Sequence, residues 1–208
     1  MGSMFDSDSK FMTVLSRIGD LIFLNLLWLV TSLPLVTLGA STAAMYAVVK
    51  PRGKGDFDSS VVRRYFRAFR QNFKKATQTF LVMLIPTLLV IVNCWLFLAG
   101  WLDGSIVRYV ICALPCLLLV FALDYLYPLI ASFENSVLRC IGNAFALAVA
   151  HLPTTVILTV TNLLPLVLYL AAPTLFYRTL MIWIFIGFAL IAQVNSFFLE
   201  RVFDKYRP

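Results

Sequence analysis

The chain is short of the groups that catalysis needs. It has one histidine in 208 residues, and charged side chains make up only 13% of it. That single histidine excludes a paired-histidine metal helix. No glycine-rich phosphate loop is present, and no serine has a nearby base, so nucleotide chemistry and nucleophilic catalysis lack their parts. Four cysteines at positions 94, 112, 116 and 140 are scattered. Cys112 and Cys116 are one helical turn apart, but no His or acidic residue is close, so small apolar packing is the reading and no disulfide framework follows. The sequence therefore predicts a protein that is not an enzyme and needs no cofactor.

What is abundant is apolar. Hydrophobic residues reach 61%, against roughly 45–50% in a soluble domain. The runs fall at Leu21–Val49, Thr77–Trp101, Ile106–Ala131, Leu152–Ala172 and Leu175–Leu199. About 20 helical residues cross a hydrocarbon core of roughly 30 Å. The expected fold is all-α: one polytopic membrane domain over 1–208 with five to six membrane segments. These are placed at about 11–33, 35–50, 77–100, 106–130, 152–172 and 175–199, with an amphipathic cytoplasmic helix at about 58–75. The N-terminus is acidic at Asp6 and Asp8 and leads into a long apolar run, unlike a cleaved signal peptide. Met1-Gly2 does not make a myristoylation site, because Asp6 stands where Ser or Thr is expected.

Charge sets the orientation. Nine of the seventeen basic residues lie between Lys50 and Lys75, which makes that loop cytoplasmic by the positive-inside rule. The run Leu21–Val49 then crosses once or forms a short hairpin. A hairpin puts fifteen basic residues inside and two, Arg108 and Arg178, outside; a single crossing gives thirteen and four. Pro34 disfavours helix at Leu33, Gly39 permits an unusual backbone angle, and Ser41 or Thr42 can cap a new helix. Small residues at Ala40, Ala43, Ala44 and Ala47 allow helices to approach closely. The hairpin is the favoured reading, with both termini in the cytoplasm.

Two segments align without gaps at an offset of 76: "FDSSVVRRYFRAF" (Phe57–Phe69) and "FENSVLRCIGNAF" (Phe133–Phe145). A duplicated helix–cytoplasmic segment–helix unit is the simplest account, and chance likeness among apolar sequences is the alternative. In the first segment Val62, Phe66, Phe69 and Phe73 share a helical spacing, with Tyr65 adjoining. Arg63, Arg64, Arg67, Arg70, Lys74 and Lys75 supply the basic stripe. Such a helix lies on anionic lipid or docks a cytoplasmic partner. A nucleic-acid target is not expected.

Polar residues inside the apolar runs are costly, so each is a candidate. Asp20, Asn25, Asp124, His151 and Asn195 form a possible intramembrane polar site, for a proton or a substrate, facing the cytoplasm. Asn93, Asn162 and Gln193 add further amides. The structural reading, favoured here, has the aspartates reaching toward water or an interfacial Arg while the amides tie helices together.

The stretch "SRIGDLIFLNLLWLVTSLPLVTLGAST" (Ser16–Thr42), followed by "YFRAFRQNFKKAT" (Tyr65–Thr77), resembles the YesL-like family, or domain of unknown function 624. Asp20, Asn25, Pro34, Thr37, Gly39 and Ser41 carry the resemblance, with Phe66, Phe69, Asn72 and Phe73. It covers the first third of the chain; the remainder matches in length and hydropathy. It implies an integral protein of a Gram-positive plasma membrane, of a kind often encoded near carbohydrate importers and glycan-degrading enzymes. It supplies no catalytic residue. The leading expectation is an accessory protein assisting a carbohydrate ABC importer through its permease subunits. The runner-up is a small transporter or ligand-binding protein using an intramembrane cavity, and a lipid-binding structural protein is a third reading.

Overall fold

The computed structural model describes residues 2–50, 60–100 and 106–207, and every regular element among them is helical. In chain order these are α1 (Gly2–Ser32), a 3-10 turn (Leu35–Thr37), α2 (Leu38–Val49), α3 (Val61–Leu98) and α4 (Ile106–Ser132). They are followed by α5 (Val137–Ala150), α6 (Leu152–Ala171), α7 (Pro173–Arg178) and α8 (Leu180–Phe203). Five of these helices are long and apolar enough to cross a membrane, and Leu35–Val49 is a shorter apolar one. The leucines and valines on their outer faces, such as Leu89, Leu98, Val160 and Leu170, are exposed, as lipid contact requires. This is a multi-pass membrane bundle.

The N-terminal run folds as a hairpin. Pro34 has no N–H and biases Leu33 away from helix, so α1 stops at Ser32. Thr37 Oγ1 then donates to the Pro34 carbonyl at 2.6 Å, which closes the turn. Trp28 Nε1 donates to Thr42 Oγ1 at 3.1 Å, and so α2 returns alongside α1. Two details of the expected turn are corrected. Gly39 does not have a positive φ but sits inside α2, where a Cβ would meet the Ala76 carbonyl oxygen and the Tyr127 ring, each at 2.9 Å. It is needed for close approach to α3 and α4. Ser41 and Thr42 do not cap a helix; their hydroxyls donate back to the carbonyls of Thr37 and Leu38.

Helix α2 is the centre of the bundle. Ala40, Ala43, Ala44, Met45 and Tyr46 are all buried, with α3 as its most extensive neighbour and α1, α4 and α8 around it. Its small side chains let backbones approach, which compensates in packing for a helix of only 12 residues.

The amphipathic segment and the next membrane segment are not separate, as expected, but one helix of 38 residues. At 1.5 Å per residue α3 is about 57 Å long, nearly twice a hydrocarbon core of roughly 30 Å. No Gly or Pro interrupts the stretch around Lys75 and Thr77, so nothing local ends the helix there. The side of α3 that turns inward carries Val61, Tyr65, Ala68 and Ala76, while Val62, Phe66 and Phe73 stay exposed. Residues 58 and 59 of the expected segment lie outside the described residues, as do 51–57 and 101–105.

The aligned second segment folds differently. Val61 and Val137, 76 apart, each open a helix. Thr79 and Thr155 also correspond; both are buried and each donates to the carbonyl four residues back. Here, however, α5 ends at Ala150 and α6 starts at Leu152. Pro153 removes an N–H, and its ring crowds the carbonyl four residues earlier. Two lysines close this end of the bundle: Lys50 donates to Ala131 O and Ser132 Oγ, and Lys75 to Phe133 O. Cations on the last carbonyls of α4 favour its C-terminus.

Candidate functional site

Asp124 is 6% exposed on α4 and accepts from two residues of α6. Asn162 Nδ2 donates to Oδ1 at 2.8 Å, and Thr159 Oγ1 donates to Oδ2. Thr159 and Asn162 are three apart on a helix, so both reach the same face. The Asn162 Oδ1 accepts in turn from Asn195 Nδ2 on α8, at 2.8 Å. Asn195 also donates to the Tyr46 hydroxyl of α2 at 3.4 Å and accepts from Thr161 Oγ1 at 2.6 Å. A single polar chain thus links four helices inside the bundle.

Beside this chain is a cavity of about 230 Å³. Asp124 and Asn162 reach it, and Trp28, Tyr46, Tyr127 and Phe188 give it aromatic walls. Trp28 and Phe188 pack with ring centroids 4.9 Å apart. The arrangement offers a carboxylate acceptor, an amide and phenolic hydroxyls against flat apolar faces. It can hold a small solute by hydrogen bonds and ring contact.

The five residues expected to converge do not all do so. Asp124 and Asn195 are joined through Asn162. Asn25 is fully buried and serves the backbone: its Nδ2 donates to the carbonyls of Trp183 (3.1 Å) and Ile184 (2.6 Å), and its Oδ1 accepts from Ala189 N–H at 2.8 Å. These groups flank the π turn Trp183–Gly187, where the regular hydrogen-bond ladder changes step and leaves partners unmatched. His151 ends α5, and its Nε2 pairs with the Tyr206 hydroxyl at 3.1 Å. Asp20 lines a different cavity with Arg17, Lys50 and Arg64. Position along a helix told how deep each residue lies; it did not tell which way each one points. Thr159 and Tyr46 were not expected in the site. The signal that could have found Thr159 is its three-residue spacing from Asn162 in an apolar helix.

The basic stripe also divides. Arg63, Arg67, Arg70 and Lys74 are exposed, whereas Arg64 and Lys75 turn toward the bundle. Among the described residues no group of three or more His, Cys, Asp and Glu could hold a metal ion.

Residues 21–94 match the model of a family described as "Protein of unknown function, DUF624". Over 162 residues the chain is 25% identical to "Uncharacterized protein YesL" of Bacillus subtilis (strain 168), covering 76% of each. The chain is thus similar to YesL along about three quarters of its length. No solved structure matches it. The DUF624 match spans most of the hairpin and nearly all of α3, including Asn25 and Gly39, and stops short of Asp124, Asn162 and Asn195. The part that the DUF624 model describes is the hairpin and its packing, and the Asp124 site is argued on its own geometry.

Proposed function

We propose that this YesL-like chain is a non-enzymatic protein of a bacterial plasma membrane that binds a small polyhydroxylated solute, of monosaccharide size, at the Asp124 cavity. The observation that carries the reading is a buried carboxylate held on two sides by α6 and open on another to an aromatic-walled cavity. A carboxylate accepts from sugar hydroxyls, and ring faces cover their C–H surfaces. The volume is below the roughly 300–1,000 Å³ of drug-sized pockets, so the occupant is small. The charge distribution supports cytoplasmic termini. Trp28 lines the cavity, so its fluorescence is the assay. Purified protein titrated with a panel of monosaccharides should show a saturable change that is lost in Asp124→Asn and in Trp28→Phe. No response to any member of the panel would remove the reading.

A second reading, an accessory to a carbohydrate ABC importer, is favoured by the exposed face of α3. Arg63, Arg67, Arg70 and Lys74 alternate there with Phe66 and Phe73, a surface suited to a permease subunit or to anionic lipid. Gentle solubilisation of native membranes and capture of the chain should bring stoichiometric permease subunits if this holds. Loss of that association on neutralising the four cations would place the contact on α3; recovery of the chain alone would count against it.

A further inference from the structure

The larger cavity lies apart from Asp124, where α1, the end of α2, the start of α3 and α8 meet. It encloses about 570 Å³. Its floor is leucine and valine, and its polar lining is Arg17, Asp20, Lys50, Arg64 and Gln193. Among the described residues, three cations thus face one carboxylate across a partly apolar cavity. Like charges gathered there repel, and the apolar floor weakens the screening that water would give. Burial pushes the Lys50 ammonium down to about 8, and Arg207 adds to the fall while Glu200 opposes it. Arg207 also pairs with Glu200 at 2.9 Å, which partly offsets that acid's pull on Lys50.

An anion of more than one charge would balance the excess of cations in the lining. Guanidinium forks match the oxygens of a phosphate group, and an ammonium adds a point charge. We infer that this cavity is a binding site for a phosphate monoester group, held by Arg17, Lys50 and Arg64. The group reaches it either as the headgroup of a phosphatidate-type lipid or as a soluble phosphorylated solute. The inference is independent of the Asp124 reading, which concerns another cavity and an uncharged ligand. Asp20 and Arg64 are both engaged by partners, and Lys50 also holds the end of α4; Arg17 is the first residue to change and Lys50 the second.

The experiment uses the full chain in phosphatidylcholine nanodiscs. In one arm inorganic phosphate is titrated by calorimetry. In the other, phosphatidate is included in the disc and its retention is read by native mass spectrometry. Binding in the first arm identifies a soluble source, and retention in the second alone identifies the lipid. In either case the Arg17→Gln/Lys50→Gln double variant should bind at least about tenfold more weakly, and Arg17→Gln alone, which leaves the Lys50 contacts with α4 in place, should weaken binding in the same direction. Should the variant fail to fold, the wild-type protein still decides. Lys50, faced by Arg17, Asp20, Arg64, Glu200 and Arg207, should titrate above its value of about 8 when phosphate or phosphatidate is present. Absence of binding in both arms overturns the inference, as does undiminished binding by a folded double variant or an unmoved Lys50 titration.

Discussion

Two buried polar residues, Asn25 and Asp124, look alike in the sequence and are used in opposite ways. Asn25 gives all three of its hydrogen bonds to the backbone of α8. Asp124 bonds to side chains, Thr159 and Asn162, and an ionised carboxylate has about four acceptor sites. The amide is consumed by the fold. The carboxylate keeps capacity to spare on the side where the cavity lies. A buried polar group is a candidate for ligand chemistry when its partners leave part of it unused, and burial alone does not say so.

Breaking the first half of the comparison should have the largest effect. Asn25→Leu leaves two carbonyls and one N–H without their partner, at a cost of about 2–4 kcal/mol, and thermal unfolding in detergent should show the loss. A variant as stable as wild type would mean that the π turn needs no support. Asn162→Ala should come next, since it removes one donor to Asp124 and the acceptor of Asn195. It is expected to cost about 1–2 kcal/mol in the same measurement and to weaken the fluorescence response.

Asp124→Asn sharpens the contrast. Its stability should stay within about 1 kcal/mol of wild type while monosaccharide affinity falls at least about tenfold. Equal losses of stability and affinity would make Asp124 a second Asn25. The smallest effect is in pH and belongs to the other cavity. Lys50 sits near 8 when folded, against an ordinary 10.5, so its charged form is disfavoured in the fold. That cost is fully present below pH 8 and disappears as pH rises toward about 10.5. Wild type should therefore gain slightly on Lys50→Gln between pH 7 and 9.5 in thermal unfolding, and equal slopes would refute the assignment.

Much of the fold was legible because its causes are local. Apolar length marks the spans, Pro34 stops α1, and the distribution of Lys and Arg favours the hairpin that the contacts between Trp28 and Thr42 display. Other features depend on what faces what. The polar stretch before Thr77 looks like a boundary, yet α3 runs through it because polarity alone does not end a helix. Gly39 carries the mark of a turn, but only the proximity of Ala76 and Tyr127 shows what it is for. Asp20 and Asp124 could not be assigned to separate cavities from their positions along the chain, since the direction in which a helical residue points depends on how its helix is turned in the bundle.

The π turn is the feature least visible in sequence, and it has a consequence in register. A helix with 3.6 residues per turn rotates about 100° for each residue, and a π turn accommodates one residue more than the α-helical turn it replaces. Everything after Gly187, including Ala189, Ala192, Asn195 and Leu199, which are buried, is turned by that amount relative to an uninterrupted helix. Asn25 holds the dial in place from α1. Removing a single residue from Trp183–Gly187 would rotate Asn195 out of line with Asn162 and Tyr46, so that one missing residue near one end of the helix would disconnect the polar chain at its middle.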